Sequence, residues 1–136
     1  MAKSDIYKFV LMPTFLLLSL STSFSQPCIQ FQNKLFDFDT VAMGHHANCR
    51  FEFKNTGNEP LLVTDVVTSC GCTVAEWTKN LVLPGGNGYV YVSYNTSLQG
   101  SFRKTILVKS NTEKKEVLQI KGYVASKKKN IIIKKG

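Results

Sequence analysis

Apolar and polar residues alternate with a period of two through most of this sequence. In the stretch 47–55, three apolar residues share one set of positions and three charged residues share the other, namely Cys49, Phe51 and Phe53 against Arg50, Glu52 and Lys54. Such alternation is typical of a β-strand with one buried face. Cys49 is therefore predicted to point into a hydrophobic core beside two phenylalanines.

The same alternation predicts strands elsewhere, over residues 35–41, 61–69, 73–77, 89–95, 102–109 and 116–124, with a short extended segment at 81–83. Turn-forming clusters separate them, as in Asn55–Pro60 and Pro84–Gly88. About seven strands with no helical stripe indicate an all-β fold, and strands of this length and spacing favour a β-sandwich.

The first residues have the pattern of a secretory signal peptide. Lys3 and Lys8 precede an apolar run over residues 9–20, and small residues follow at Ser23 and Ser25. A membrane-spanning helix needs about 20 apolar residues, so this run is short for one. We expect cleavage after Ser25; an uncleaved anchor and a lipidated Cys28 are the alternatives. The predicted organisation is a signal peptide at 1–25, one domain at 26–126 and a tail at 127–136.

Charge is concentrated in that tail. The formal net charge is +8, and five of the 17 basic residues fall between Lys127 and Lys135. Because the remaining chain is only weakly basic, we expect no nucleic-acid partner. Like charges predict a solvated tail, and an added strand or a membrane or partner contact through Ile131–Ile133 is the alternative. The mature chain is expected to be secreted or periplasmic, without a transmembrane segment.

The candidate chemistry lies in Ser69–Thr73, where Cys70 and Cys72 flank Gly71. In a regular strand their α-carbons would be about 6.6 Å apart, so a direct disulfide requires the chain to turn at Gly71. The resulting ring would be strained, and strained disulfides are reduced more easily. Alternatively, either cysteine pairs with Cys28 or Cys49, since four cysteines allow three full pairings.

Two other roles for these sulfurs remain open. A Cu(I) or Zn site would combine Cys70 and Cys72 with His45 and His46, because thiolates and imidazoles suit both metals. Adjacent histidines in a strand point to opposite faces, however, so only one could reach such a site. A redox role would need a thiol activated by a helix N-terminus or nearby cations, and no helix is predicted after Cys72.

Four separate segments together resemble a bacterial family. Residues 51–63, Ser69–Thr73, Leu83–Gly86 and Lys104–Asn111 are similar, in this order, to the domain-of-unknown-function family numbered 1573, over roughly residues 36–124. The resemblance implies an exported immunoglobulin-like module, related to Hydin-like and major-sperm-protein-like folds, without an agreed activity. The family usually has glycine where this chain has Asp39.

The predicted function is therefore that of an exported, non-enzymatic, immunoglobulin-like binding or structural module. Its partner is expected to be another protein or a cell-envelope component, and strand-edge addition suits such a fold. An aromatic binding face at Trp77, Tyr89 and Tyr91 is one candidate surface. The sequence has no phosphate-binding loop or nucleophile elbow, and no cofactor is predicted. The alternative is a thiol-based metal-binding or redox protein centred on Cys70 and Cys72.

Overall fold

Every regular element in the described part of the chain is a β-strand. The computed structural model describes residues 21–126. The eight strands are β1 (Ile29–Phe31), β2 (Leu35–Ala42), β3 (His46–Asn55), β4 (Val63–Thr68), β5 (Thr73–Trp77), β6 (Asn87–Asn95), β7 (Gly100–Ser110) and β8 (Glu116–Ala125). Most of the predicted signal peptide and all of the predicted tail lie outside the described residues.

The strands form two four-stranded sheets packed face to face. The first sheet has the order β1-β3-β6-β5 and the second the order β2-β8-β7-β4. Neighbouring strands are antiparallel except β2 and β8, which are parallel. This is the constant-type immunoglobulin arrangement with the first strand divided between the two sheets. The predicted all-β, immunoglobulin-like sandwich is confirmed, with eight strands instead of about seven.

The predicted strands differ from the observed ones at short segments. β1 was not predicted because its three residues are too few to show alternation. The segment predicted at 81–83 forms only one isolated bridge, between Leu61 and Val82. The strand predicted from Leu61 begins at Val63, because Leu61 is used in that bridge.

The core lies between the two inner faces and follows the alternation closely. In β3, Cys49 is 6% exposed, which confirms its predicted inward orientation, and Phe53 beside it is 1% exposed. The first sheet adds the inward residues of β6, and the second adds those of β4, β7 and β8. The main members are Val90, Val92, Tyr94, Val63, Val66, Phe102, Ile106, Val108, Leu118, Ile120 and Val124.

One buried polar side chain joins three loops at one end of the sandwich. Asn55 is fully buried, and its Oδ1 accepts hydrogen bonds from the backbone N–H groups of Cys28 at 3.3 Å and Gly57 at 3.0 Å. Its Nδ2 donates to the carbonyl oxygens of Glu59 at 2.7 Å and Val82 at 2.9 Å. The N-terminal segment, the β3–β4 loop and the β5–β6 loop therefore meet at one amide.

The opposite end carries the residues singled out for their chemistry. The β2–β3 turn, the β4–β5 connection and the β6–β7 loop lie here, beside the end of β8. Met43 N–H donates to the Ala125 carbonyl at 3.0 Å, and Gly44 N–H donates to the Thr96 carbonyl at 3.1 Å. Across residues 21–126, no helix is long and apolar enough to cross a membrane.

Candidate functional site

The Cys-Gly-Cys corner, defined as Ser69–Thr73, is the point where the chain crosses between the sheets. It leaves β4 at the edge of the second sheet and enters β5 at the edge of the first. Cys70 and Cys72 are bonded to each other, with their α-carbons 5.4 Å apart. The chain turns here, as a direct bridge requires, and Thr73 N–H donates to the Cys70 carbonyl at 3.3 Å.

Hydrogen bonds from both sheets hold the corner in place. On the second sheet, Ser69 N–H donates to the Thr105 carbonyl at 3.0 Å, and Thr105 N–H donates to Ser69 Oγ at 3.2 Å. On the first sheet, Asn95 N–H donates to the Cys72 carbonyl at 2.9 Å. The corner is thus anchored on each side by backbone groups.

The other two cysteines lie apart from the corner and remain thiols. Cys28 is exposed at the start of β1, and Cys49 is buried in the middle of β3. The alternative bridges from either of them to Cys70 or Cys72 are not formed, because Cys49 points into the core while the corner lies at a sheet edge.

The loop closed by the Cys70–Cys72 disulfide is very short. It restrains the unfolded chain by only about 1.5 kcal/mol, against about 3 kcal/mol for a 20-residue loop. The observed disulfide therefore contributes little to the free energy of unfolding.

The histidines suggested as metal ligands are near this end but not at the corner. His45 and His46 are both exposed, and His46 pairs with Asn95 across the β3–β6 ladder. Cys72 lies on the far side of β6, two strand spacings from His46, or about 10 Å. Among residues 21–126, no three potential ligands lie close enough to hold a metal ion. The structure therefore does not assemble the suggested site.

The three aromatic residues suggested as a binding face lie on opposite faces of the first sheet. Trp77 pairs directly with Val90, which is completely buried, so Trp77 is on the inner side. Its indole Nε1–H donates to the Val63 carbonyl of the second sheet at 3.2 Å. Tyr89 and Tyr91 point outward from the first sheet. The suggested face is therefore corrected to two tyrosines on the outside and a tryptophan at the core edge.

Arginine and glutamate side chains surround the outward tyrosines. The guanidinium carbon of Arg50 lies 4.3 Å from the centroid of the Tyr89 ring. Arg50 Nε also lies 3.7 Å from a carboxylate oxygen of Glu52, the residue paired with Tyr89. These exposed contacts hold Tyr89 against the sheet. The Tyr89 ring is therefore already in contact with a cation of the same chain, the Arg50 guanidinium.

Within residues 21–126, the edge strand β5 has backbone groups that no other strand pairs with. Cys72 and Thr78 bond to β6 on either side of β5, so the even-numbered residues face β6 and the odd-numbered residues face away. Thr73 uses its outward groups in the corner, where its carbonyl accepts a bond from Thr68 Oγ1 at 3.1 Å. Ala75 and Trp77 therefore direct N–H and C=O groups toward the open side of the sheet.

The other three edges are each blunted. β1 has only three residues. β2 has a register shift between Asp37 and Thr40, and β4 has one between Val63 and Asp65. Short strands and bulges are the usual protections against unwanted strand pairing. β5 has no register shift and no proline. Its importance could not be predicted from the sequence, because alternation does not reveal strand order.

The family of the chain follows from a match over the sandwich itself. The family described as protein of unknown function (DUF1573) matches residues 29–124. The chain belongs to this family. No curated protein is significantly similar to it in sequence.

Solved structures show the same fold at low identity. A protein of unknown function from Porphyromonas gingivalis W83 is 18% identical, with a TM-score of 0.64 over 73% of this chain and 48% of that one. The chain thus spans about half of that protein's length. PapD-like domain 7 of human CEP192 is 14% identical, with a TM-score of 0.64 over 85% of this chain and 98% of that domain. The secreted serine protease VesC from Vibrio cholerae is 16% identical, with a TM-score of 0.55 over 71% of this chain and 23% of the protease.

One residue of this DUF1573 domain other than glycine has a left-handed backbone conformation. Asp39 has a φ of 54°, in the region that side chains other than glycine seldom adopt. Its N–H donates to the Asp37 Oδ1 at 2.9 Å, which closes a local Asx-type turn. This bond and the positively charged Lys121 beside Asp37 hold the pKa of the Asp37 carboxyl below its usual value. Aspartate is among the few residues other than glycine that adopt this conformation, because its side chain can form such a local hydrogen bond.

The buried thiol of this DUF1573 domain predicts a pH dependence of stability. Burial raises the pKa of Cys49 from 9.0 to about 12. Above pH 9 the unfolded chain releases this proton while the folded chain retains it, so stability is lost as pH rises. The free energy of unfolding should fall by up to about 1.4 kcal/mol per pH unit more steeply than in Cys49→Ala. Urea titrations of both proteins between about pH 8 and pH 10.5 measure this difference, and parallel curves would contradict it.

Proposed function

We propose that this chain is an exported, non-enzymatic binding module of the cell envelope that receives an extended segment of a partner protein along β5. The observation that carries the proposal is the edge at Ala75 and Trp77, which no strand within residues 21–126 pairs with, in a sandwich whose other edges are blunted. Backbone hydrogen bonds to an added strand supply affinity in this mode, while alternate side chains supply specificity.

The side chains on β5 define the chemistry of the incoming segment. Trp77 is half-buried at the inner edge, and Glu76 is exposed on the outer face. Alternate residues of an added strand would therefore meet the indole and the carboxylate in turn. A segment that alternates apolar with basic residues fits this edge. Outside the Cys70–Cys72 pair, the described side chains with reactive groups, such as His45 and Cys49, are dispersed, which favours binding over catalysis as the role.

Export is supported by the N-terminal sequence and by the oxidised cysteine pair, since disulfides persist in oxidising compartments. We expect the mature protein to begin at Gln26. Its backbone nitrogen already donates to Asn58 Oδ1 at 2.8 Å, a bond that a new α-amino group can keep. Intact mass spectrometry of protein from the envelope fraction tests this expectation. A product that still carries Met1 would refute cleavage.

Ala75→Pro should abolish partner binding with little effect on the fold. Proline removes an N–H that faces away from β6, a position where edge strands tolerate it, so stability should change by less than about 1 kcal/mol. Ala75→Ser keeps the N–H and serves as the matched control. A photo-crosslinking residue placed at Glu76 in producing cells should give a covalent protein adduct. The adduct should be retained in Ala75→Ser and lost in Ala75→Pro.

Two results of this comparison would count against the proposal. Equal adduct yields in the proline and serine variants would show that the backbone of β5 is not used. The absence of any adduct, with the protein folded and located in the envelope, would show that β5 is not a contact surface. Circular dichroism of both purified variants establishes that each is folded.

A further inference from the structure

We propose that the Cys70–Cys72 disulfide is a thiol–disulfide exchange site that accepts two electrons from a partner dithiol. This inference goes beyond the binding role of β5 and does not depend on it. Three features of the Cys-Gly-Cys corner carry it: the corner is held without the sulfur–sulfur bond, the exposed Gly71 adds no side chain between the two cysteines, and one sulfur has a buried hydroxyl donor.

The corner does not need the disulfide to keep its shape. The paired bonds between Ser69 and Thr105 and the bond from Asn95 N–H to the Cys72 carbonyl at 2.9 Å attach it to both sheets. These bonds do not involve sulfur. After reduction, the two thiols would therefore stay side by side, ready to be oxidised again. A site that cycles between dithiol and disulfide needs this property.

Gly71 adds no side chain that could shield the two half-buried cysteines. The residue is exposed, and a Cβ placed on it would meet no atom within 4 Å. It is also not among the described glycines with a positive φ, which are Gly44, Gly85 and Gly100. Neither packing nor backbone conformation therefore requires glycine at position 71. Its small size is explained if another molecule must approach the sulfurs closely.

Thr73 distinguishes the two sulfurs. Its side chain is 4% exposed, and its Oγ1 lies 3.6 Å from Cys70 Sγ. A disulfide sulfur carries no hydrogen, so the hydroxyl donates and the sulfur accepts. Such a donor stabilises a thiolate more than a neutral sulfur, because the charged form makes the stronger hydrogen bond. Cys70 is therefore the better leaving group, and Cys72 is the sulfur that is attacked.

The exchange proceeds in two balanced steps. A thiolate of the donor attacks Cys72 Sγ, a new sulfur–sulfur bond forms, and the electron pair of the old bond leaves on Cys70 Sγ beside the Thr73 hydroxyl. The second thiol of the donor, as its thiolate, then attacks the donor sulfur of this mixed disulfide and releases Cys72. Two protons from the donor thiols end on Cys70 and Cys72. The donor is oxidised to its disulfide, and this chain becomes a dithiol.

Reduction by dithiothreitol tests the site in the mature chain carrying Cys28→Ser, which removes the exposed thiol. Mass spectrometry after alkylation should find Cys70 and Cys72 reduced while the circular dichroism spectrum is unchanged. Thr73→Val should slow the second-order rate of reduction about fivefold, because the leaving thiolate loses its donor. Thr73→Ser keeps the hydroxyl and should restore the rate of the parent chain.

A second measurement separates thiolate stabilisation from a purely structural role. The variant Cys72→Ser leaves Cys70 as the thiol of the corner, and Cys70→Ser leaves Cys72. As the pH is raised, the rate of alkylation by iodoacetamide should increase at a lower pH for Cys70 in the first variant than for Cys72 in the second. Adding Thr73→Val should move the Cys70 profile to higher pH. Equal profiles for the two cysteines would overturn the assignment of roles. Loss of the folded spectrum on reduction, or equal reduction rates with threonine and valine, would overturn the proposal.

Discussion

Replacing Asn55 by leucine is expected to lower the free energy of unfolding by about 3 kcal/mol. Leucine has a similar volume but removes four hydrogen bonds. It would leave the carbonyl of Glu59 and the N–H groups of Cys28 and Gly57 without their partner. The Val82 carbonyl would lose one of its two hydrogen bonds and keep the one from Leu61 N–H at 2.8 Å. The site is fully buried, so water cannot easily take its place. Urea-induced unfolding followed by circular dichroism measures the change.

Asn111→Leu is the matched control for this prediction. Asn111 also joins two loops, since its Oδ1 accepts from Leu62 N–H at 2.9 Å and its Nδ2 donates to the Pro60 carbonyl at 3.0 Å. The residue is exposed, however, and water can replace these bonds. Its loss should cost less than about 1 kcal/mol. Similar costs at positions 55 and 111 would mean that burial of the amide is not what matters.

Gly88→Ala is expected to destabilise the fold by a comparable amount, about 3 kcal/mol. Gly88 pairs directly with Phe53 in the β3–β6 ladder, and the phenylalanine ring covers it. A Cβ at position 88 would lie 2.7 Å from Cε2 and 3.0 Å from Cε1 of that ring. Because Phe53 is 1% exposed and stacks edge-on against Phe31, the ring has no free space to enter.

The source of this cost can be checked with a double variant. Phe53→Leu leaves a smaller side chain opposite position 88, so the cost of Gly88→Ala should fall by about 1–2 kcal/mol in that background. Gly71→Ala is the control for glycine replacement as such and should be nearly neutral, since its Cβ enters open space. Additive effects of the changes at 53 and 88 would exclude the steric explanation.

The alternation of apolar and polar residues predicted well which strand residues point into the core. It predicted poorly how the connections between strands are arranged. It predicted the inward orientation of Cys49 because polar residues, Asn48 and Arg50, stand on each side of it in β3. It did not distinguish the role of Asn55, which stands in a cluster of turn-forming residues where asparagine is common. The importance of Asn55 depends on the meeting of three loops, and no local pattern encodes that meeting.

The candidate sites depended on register, which single strands do not reveal. Trp77 and Tyr89 looked equivalent in the sequence, but the pairing of Trp77 with Val90 places it on the inner side. The histidines and the Cys-Gly-Cys corner do share one end of the sandwich, yet β6 lies between His46 and Cys72. The open edge of β5 and the hydroxyl of Thr73 became visible only when strand order was known.

The parallel pairing of β2 with β8 determines how the domain would respond to mechanical load. The chain enters the sandwich through the three-residue β1 and then β2, and it leaves through β8 at the opposite end, with β2 and β8 side by side. A pulling force between the two ends acts along both strands in opposite directions. The hydrogen bonds between β2 and β8 would then be sheared together instead of breaking one at a time. Force applied through the two ends of the domain would therefore act in the direction in which the fold resists unfolding most.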